Sequence, residues 1–116
     1  MDFSGLDLTG TTFAESSLVG AKFDGVKADG AVFQNSILDN ASLVATSLVG
    51  AILDSASLKA ADFTNADLTN GRFNVANVTG TKFAGAVLTG VNAGRLTGTP
   101  ASLPSGWTVT SGVLSH

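Results

Sequence analysis

Residues 61–70 read Ala61-Asp62-Phe63-Thr64-Asn65-Ala66-Asp67-Leu68-Thr69-Asn70, one five-residue unit written twice. In each copy a small apolar residue stands two positions before a large one, and Asn follows two positions after it. The same frame extends outward in both directions. Every fifth residue is Phe3, Leu8, Phe13, Leu18, Phe23, Ala28, Phe33, Leu38, Leu43, Leu48, Leu53, Leu58, Phe63, Leu68, Phe73, Val78, Phe83, Leu88 and Ala93. The small column runs through Ala21, Ala31, Ala41, Ala51, Ala56, Ala61, Ala66, Ala76 and Ala86, and Gly or Asn closes most units. This register holds for about nineteen units without an insertion, the signature of a repeat architecture.

A period of five is neither the 3.6 of a helix nor the 2 of a long strand. Within a unit the small and large apolar residues are two apart, so both point inward from a short extended segment. Gly or Asn then turns the chain, because these residues tolerate positive φ at low cost. Four such sides close a square coil of twenty residues, and coils stacked at roughly 4.7–4.9 Å satisfy each other's backbone groups. A helix is excluded, since each Gly would cost it about 1 kcal/mol relative to Ala.

The units Ala61-Asp62-Phe63-Thr64-Asn65, Ala66-Asp67-Leu68-Thr69-Asn70 and Ala86-Val87-Leu88-Thr89-Gly90 resemble the A(D/N)LXX pattern of the pentapeptide-repeat family. The resemblance implies that family's all-β fold, a right-handed quadrilateral parallel β-helix, here of about five coils. It covers residues 1–95 as the solenoid. Lys22, Val32, Ile37, Ile52 and Arg72 depart from it in the Asp/Asn slot, which faces outward.

Folding units four apart onto one face stacks Phe3, Phe23, Leu43, Phe63 and Phe83, and on the opposite face Phe13, Phe33, Leu53, Phe73 and Ala93. The remaining faces carry Leu8, Ala28, Leu48, Leu68 and Leu88, and Leu18, Leu38, Leu58 and Val78. These are expected core ladders, each large side chain contributing about 1.5–3 kcal/mol on burial. In Val26-Lys27-Ala28 and Val91-Asn92-Ala93 the two sizes are exchanged, which conserves interior volume. On this reading Leu48→Asp unfolds the domain and Ser47→Asp is nearly silent.

Residues 96–116 carry both prolines and the only tryptophan, and read as a separate closing segment. Leu103-Pro104-Ser105-Gly106-Trp107 resembles the tails of some bacterial pentapeptide-repeat proteins. Leu103 and Trp107 are expected to cap the apolar end of the solenoid, which would otherwise expose core and unpaired backbone. Ser111-Gly112 between two apolar pairs predicts a hairpin. The amino end has no comparable cover. Either the chain is cut from a longer repeat protein, or another subunit covers that end; the expected state is a monomer, or a dimer joined there near Phe3 and Leu8.

Chemistry is scarce. The chain has no cysteine, and its one histidine, His116, is the last residue and reads as a frayed end. The usual nucleophile–base pairings are absent, and no phosphate loop or calcium loop is present. No catalytic residue, metal site or cofactor is therefore expected. A net charge of −3 predicts no direct binding to nucleic acid or anionic membranes. Met1-Asp2-Phe3-Ser4-Gly5 lacks a leader's basic start and apolar run, and a cytoplasmic location is expected.

Function must then lie on the outer surface. The leading expectation is a structural or protein-interaction module with an unidentified protein partner, its contact surface including Val32, Ile37 and Ile52. The resemblance also raises a DNA mimic that binds DNA gyrase or topoisomerase IV, against which stand nine acids facing six bases. An ice-binding solenoid ranks third, because Asp29 and Val49 interrupt the column Thr9, Thr69, Thr89.

Overall fold

A computed structural model describes all residues from Met1 to His116. The chain winds in coils of twenty residues, and parallel bridges link each outward position to its equivalent one coil later, as in Asp2↔Lys22, Lys22↔Ser42 and Ser42↔Asp62. Each unit supplies one such rung and then turns. The N–H opening the next unit donates to the large residue's carbonyl, as Thr11 does to Leu8 at 3.0 Å. The fifth residue adopts positive φ, 68° at Gly30 and 58° at Asn35, the third-position conformation that type II turns reserve for Gly or Asn. Outside the turns the backbone bonds run between coils. Leu48 N–H donates forward to Asp67 (2.8 Å) and Ser47 N–H donates back to Val26 (3.0 Å).

The interior is one continuous column. Phe23, Phe33, Leu38, Leu43, Leu48, Leu53, Leu58, Phe63, Leu68 and Phe73 are buried, with the alanines of the small slot beside them. Phe23 and Phe33, from opposite faces, meet edge to face at 5.7 Å, while Phe13 stacks on Phe33 at 5.2 Å within one face. Three buried small slots hold a hydroxyl, and each is satisfied: Ser36 donates to Phe33 O, Thr46 to Phe23 O and Thr81 to Leu58 O, all at 2.6 Å. Val26 and Ala28, the exchanged pair, are both buried. Phe83 and Leu88 are buried too, but Phe3 and Phe13 are only half-buried, because the first coil has a neighbour on one side alone.

The ladder does not stop at Arg95. It continues through Asn77↔Thr97 and Lys82↔Ser102, although the large-residue slot there is Gly98 and Leu96 fills the small one. The backbone pairing outlasts the side-chain pattern, so a boundary drawn from apolar spacing falls short. Leu103 consequently follows Phe83 by one coil on the same face, half-buried against the core. Beyond it, Thr108–Thr110 (β1) and Val113–Ser115 (β2) form an antiparallel hairpin with Val109 opposite Leu114. Trp107, Val109 and Leu114 pack on the core cluster, and Gly112 O accepts a bond from Leu96 N–H at 2.9 Å. His116 is not frayed. Its ring stacks on Trp107 at 4.8 Å. The molecule contains no helix, and so none long and apolar enough to cross a membrane.

Candidate interaction surface

Four of the five N–H groups in a regular unit are taken by the ladder and the turn. The fifth, on the residue after the large one, has no backbone acceptor: Ser4, Thr9, Val44, Val49, Thr64 and Thr69 never donate to a carbonyl. Side-chain oxygens take this role in two ways. Asp2, Asp7, Asp62 and Asp67 reach along their own unit to the N–H two residues on, and Thr9, Thr64 and Thr69 add their hydroxyls to the same carboxylates. Asp24, Asp29, Asp39 and Asp54 instead reach across to the N–H one coil later, on Val44, Val49, Lys59 and Asn74. All these N···O distances lie between 2.9 and 3.2 Å.

Nine acids less Glu15 leave eight aspartates, and every one of them holds a backbone amide. Asn77 and Asn74 do the same for Thr79 and Gly94. The Asp/Asn preference of the repeat is thus a backbone requirement. The electrostatics agree: hydrogen bonds from Ser4 and from Thr9 hold the Asp2 and Asp7 carboxyls below the ordinary carboxylate range. At Asp62 partial burial pushes upward, and the Thr64 bonds with the Lys82 charge outweigh it, so the net direction is again down. Ser47, read from the sequence as indifferent to a charge, donates its hydroxyl to Asp29 and is bridged to Asp67.

Val32, Ile37 and Ile52 occupy the slot that Asp fills elsewhere. Val32 and Ile52 are successive rungs of one face, both half-buried, and Ile37 lies on the adjacent face with 42% of its surface exposed. Val19, 52% exposed, stands to Ile37 as Asp24 does to Ser42, eighteen residues apart across neighbouring coils. The structure therefore brings these side chains onto two adjoining faces of the first three coils. The cost is local, since the N–H groups of Gln34, Asp39 and Asp54 have no acceptor within the protein. On the same flank, Arg72 and Asp54 form an ion pair at 3.0 Å.

No group of His, Cys, Asp and Glu is arranged to hold a metal ion. A single cleft of about 240 Å³ lies between Gly98–Pro100, Leu103, Val109 and the Ser111–Gly112 turn. It contains hydroxyls but no titratable group.

A family model described as pentapeptide repeats matches residues 2–35, 36–74 and 56–92, in 8 copies. No curated protein matches the chain. Among solved structures, a protein from the thylakoid lumen of Arabidopsis thaliana is 30% identical with a TM-score of 0.71, over 73% of this chain and 59% of its own. Rfr23 from the cyanobacterium Cyanothece 51142 is 23% identical with a TM-score of 0.77, over 81% and 64%. A trypsin-treated variant of QnrB1, a plasmid-mediated fluoroquinolone resistance protein, is 20% identical with a TM-score of 0.55, over 82% and 54%. The chain thus spans less than two thirds of the length of each. The shared architecture is a right-handed quadrilateral β-helix.

Proposed function

Because the chain belongs to the pentapeptide-repeat family, we propose that it is a non-catalytic interaction module, a stiff β-solenoid that presents its flank at Val19, Val32, Ile37 and Ile52 to a protein partner. Members of the family are generally solenoid modules without catalytic function. The observation that carries the reading is the apolar character of Val32, Ile37 and Ile52 in the slot from which Asp2, Asp7 and Thr12 of the first coil cap the amide two residues on. Fold stability gains nothing from leaving those amides uncapped, whereas a partner gains apolar side chains to bury and free N–H groups to satisfy.

The test is affinity capture with quantitative mass spectrometry, comparing the protein with an Ile37→Ser/Ile52→Ser variant of unchanged circular dichroism. A protein retained by the first and lost from the second supports the assignment. Equal retention by both moves the contact elsewhere.

A DNA-mimicking inhibitor of gyrase has weaker support. Its duplex-like surface would need a strongly negative face, and the nine acids here are interspersed with six bases. A supercoiling assay with the purified protein decides it: inhibition, or protection from a fluoroquinolone, would restore that reading.

A further inference from the structure

On the face opposite Val32 and Ile52, the outward rungs read Asp2, Lys22, Ser42, Asp62, Lys82 from the first coil to the fifth. The charge pattern is antisymmetric about Ser42. Turning the column end over end exchanges Asp2 with Lys82 and Lys22 with Asp62, and returns Ser42 to itself. The neighbouring outward column on this face, Ser4, Asp24, Val44, Thr64, Ala84, obeys the same operation without placing like charges together: Asp24 meets Thr64, and Val44 meets itself. The central residues Ser42 and Val44 are small and half-buried, which lets two such faces approach at the middle. Neither Lys22 nor Lys82 forms an ion pair within the protein, whose one salt bridge is Arg72–Asp54 on the opposite face.

The geometry points to a second copy of this chain as the occupant of this face. The two rods lie antiparallel around a two-fold axis at the Ser42 rung. An isologous contact requires a self-complementary patch, and this column is one. Register is specified by repulsion as well as attraction. Sliding one copy by one rung opposes Asp2 to Asp62 or Lys22 to Lys82. Sliding it by two opposes Lys22 or Asp62 to its own copy, and a parallel pairing in register sets every charge against itself. Only the Ser42-centred arrangement matches all four charged rungs.

Four rung spacings span about 19 Å, and the rod is no more than 23 Å wide, so the patch covers about 400 Å². That is half the roughly 800 Å² per partner of a standard interface, so the dimer is weak and salt-sensitive. It leaves the Val32–Ile52 face of each copy pointing away from the joint. The inference is independent of the partner proposed for that face.

Sedimentation equilibrium tests it, with protein up to about 1 mM at an ionic strength of about 20 mM, where charges are screened over roughly 20 Å. The expected result is a monomer–dimer equilibrium that weakens at least tenfold in about 0.5 M NaCl. Lys22→Glu/Lys82→Glu, which leaves every aspartate bond in place, should weaken it more than tenfold. Lys59→Glu/Arg95→Glu, of identical net charge but on other faces, should leave it unchanged. An Asp2→Lys/Asp62→Lys variant, shown by circular dichroism to be folded, should be monomeric alone and dimerise with the Lys22→Glu/Lys82→Glu protein. A wild type that stays monomeric throughout, or a dimer indifferent to Lys22→Glu/Lys82→Glu, overturns the proposal. A dimer insensitive to both charge reversals but dissolved by Leu6→Asp would put the joint at the amino-terminal coil instead.

Discussion

Asp29 carries the most direct test of the claim that the acids of this surface are structural. Its carboxylate, partly buried at the junction of two coils, accepts the Val49 N–H at 3.0 Å and the Ser47 hydroxyl. Asp29→Ala removes both bonds and leaves two donors with only solvent to turn to. A hydrogen bond to a charged group contributes about 1.5–3 kcal/mol, and partial solvent access places the loss for the pair near the lower bound, about 2 kcal/mol. For a chain of 116 residues that lowers the thermal midpoint by about 8 °C. Asp29→Asn keeps an oxygen in place and gives up only the charge assistance, a loss of about 0.5–1 kcal/mol. Glu15→Ala is the control, since Glu15 is the one acid that holds no backbone amide. Thermal and urea denaturation followed by circular dichroism reads all three. Equal midpoints for Asp29→Ala and Glu15→Ala would refute the capping role and return the carboxylates to the pool of free surface charge.

The same melts check four further expectations. Leu48→Asp, at a fully buried position, should cost more than about 4 kcal/mol and leave the chain unfolded at room temperature. A cooperative transition near the wild-type midpoint would contradict the core assignment. Ser47→Asp should destabilise by about 1–2 kcal/mol, because it removes the bond to Asp29 and adds a carboxylate next to Asp29 and Asp67. Val75→Gly should stabilise by about 1 kcal/mol. Val75 holds φ at 64°, a left-handed conformation costing a β-branched residue about 1–2 kcal/mol, of which Gly's greater unfolded entropy returns part. Acid should weaken the fold through Asp2, Asp7 and Asp62, whose hydrogen bonds hold the folded carboxyls below the ordinary carboxylate range. Their contribution is complete above the unfolded pKa and lost as pH falls through the lower folded one, so the thermal midpoint should be flat above about pH 5 and drop below about pH 4. An acid-insensitive midpoint would mean that these bonds carry no net energy.

The interior was legible because the repeat is local. A small residue, a large residue and a turn residue within five positions specify one side of a coil, so Phe23, Leu48 and Phe63 could be placed inward from spacing alone. The family to which the chain belongs followed from the same units. The outer surface was less legible because its bonds join residues about twenty positions apart. Spacing alone shows Asp29 and Ser47 as two polar surface residues, and only the stacking of coils makes one the hydrogen-bond partner of the other. Leu103 illustrates the complementary limit: Gly98 breaks the apolar frame, while parallel bridges persist on either side of it at Thr97 and Ser102.

The five-residue pattern carried the coil and its inward residues, since both are written within one unit. Which surface residues hold backbone amides, which are free, and how charges line up along a face were decided by tertiary structure. Those relations exist only after one coil lies on the next, and they make eight surface aspartates part of the frame as well as of the charge pattern.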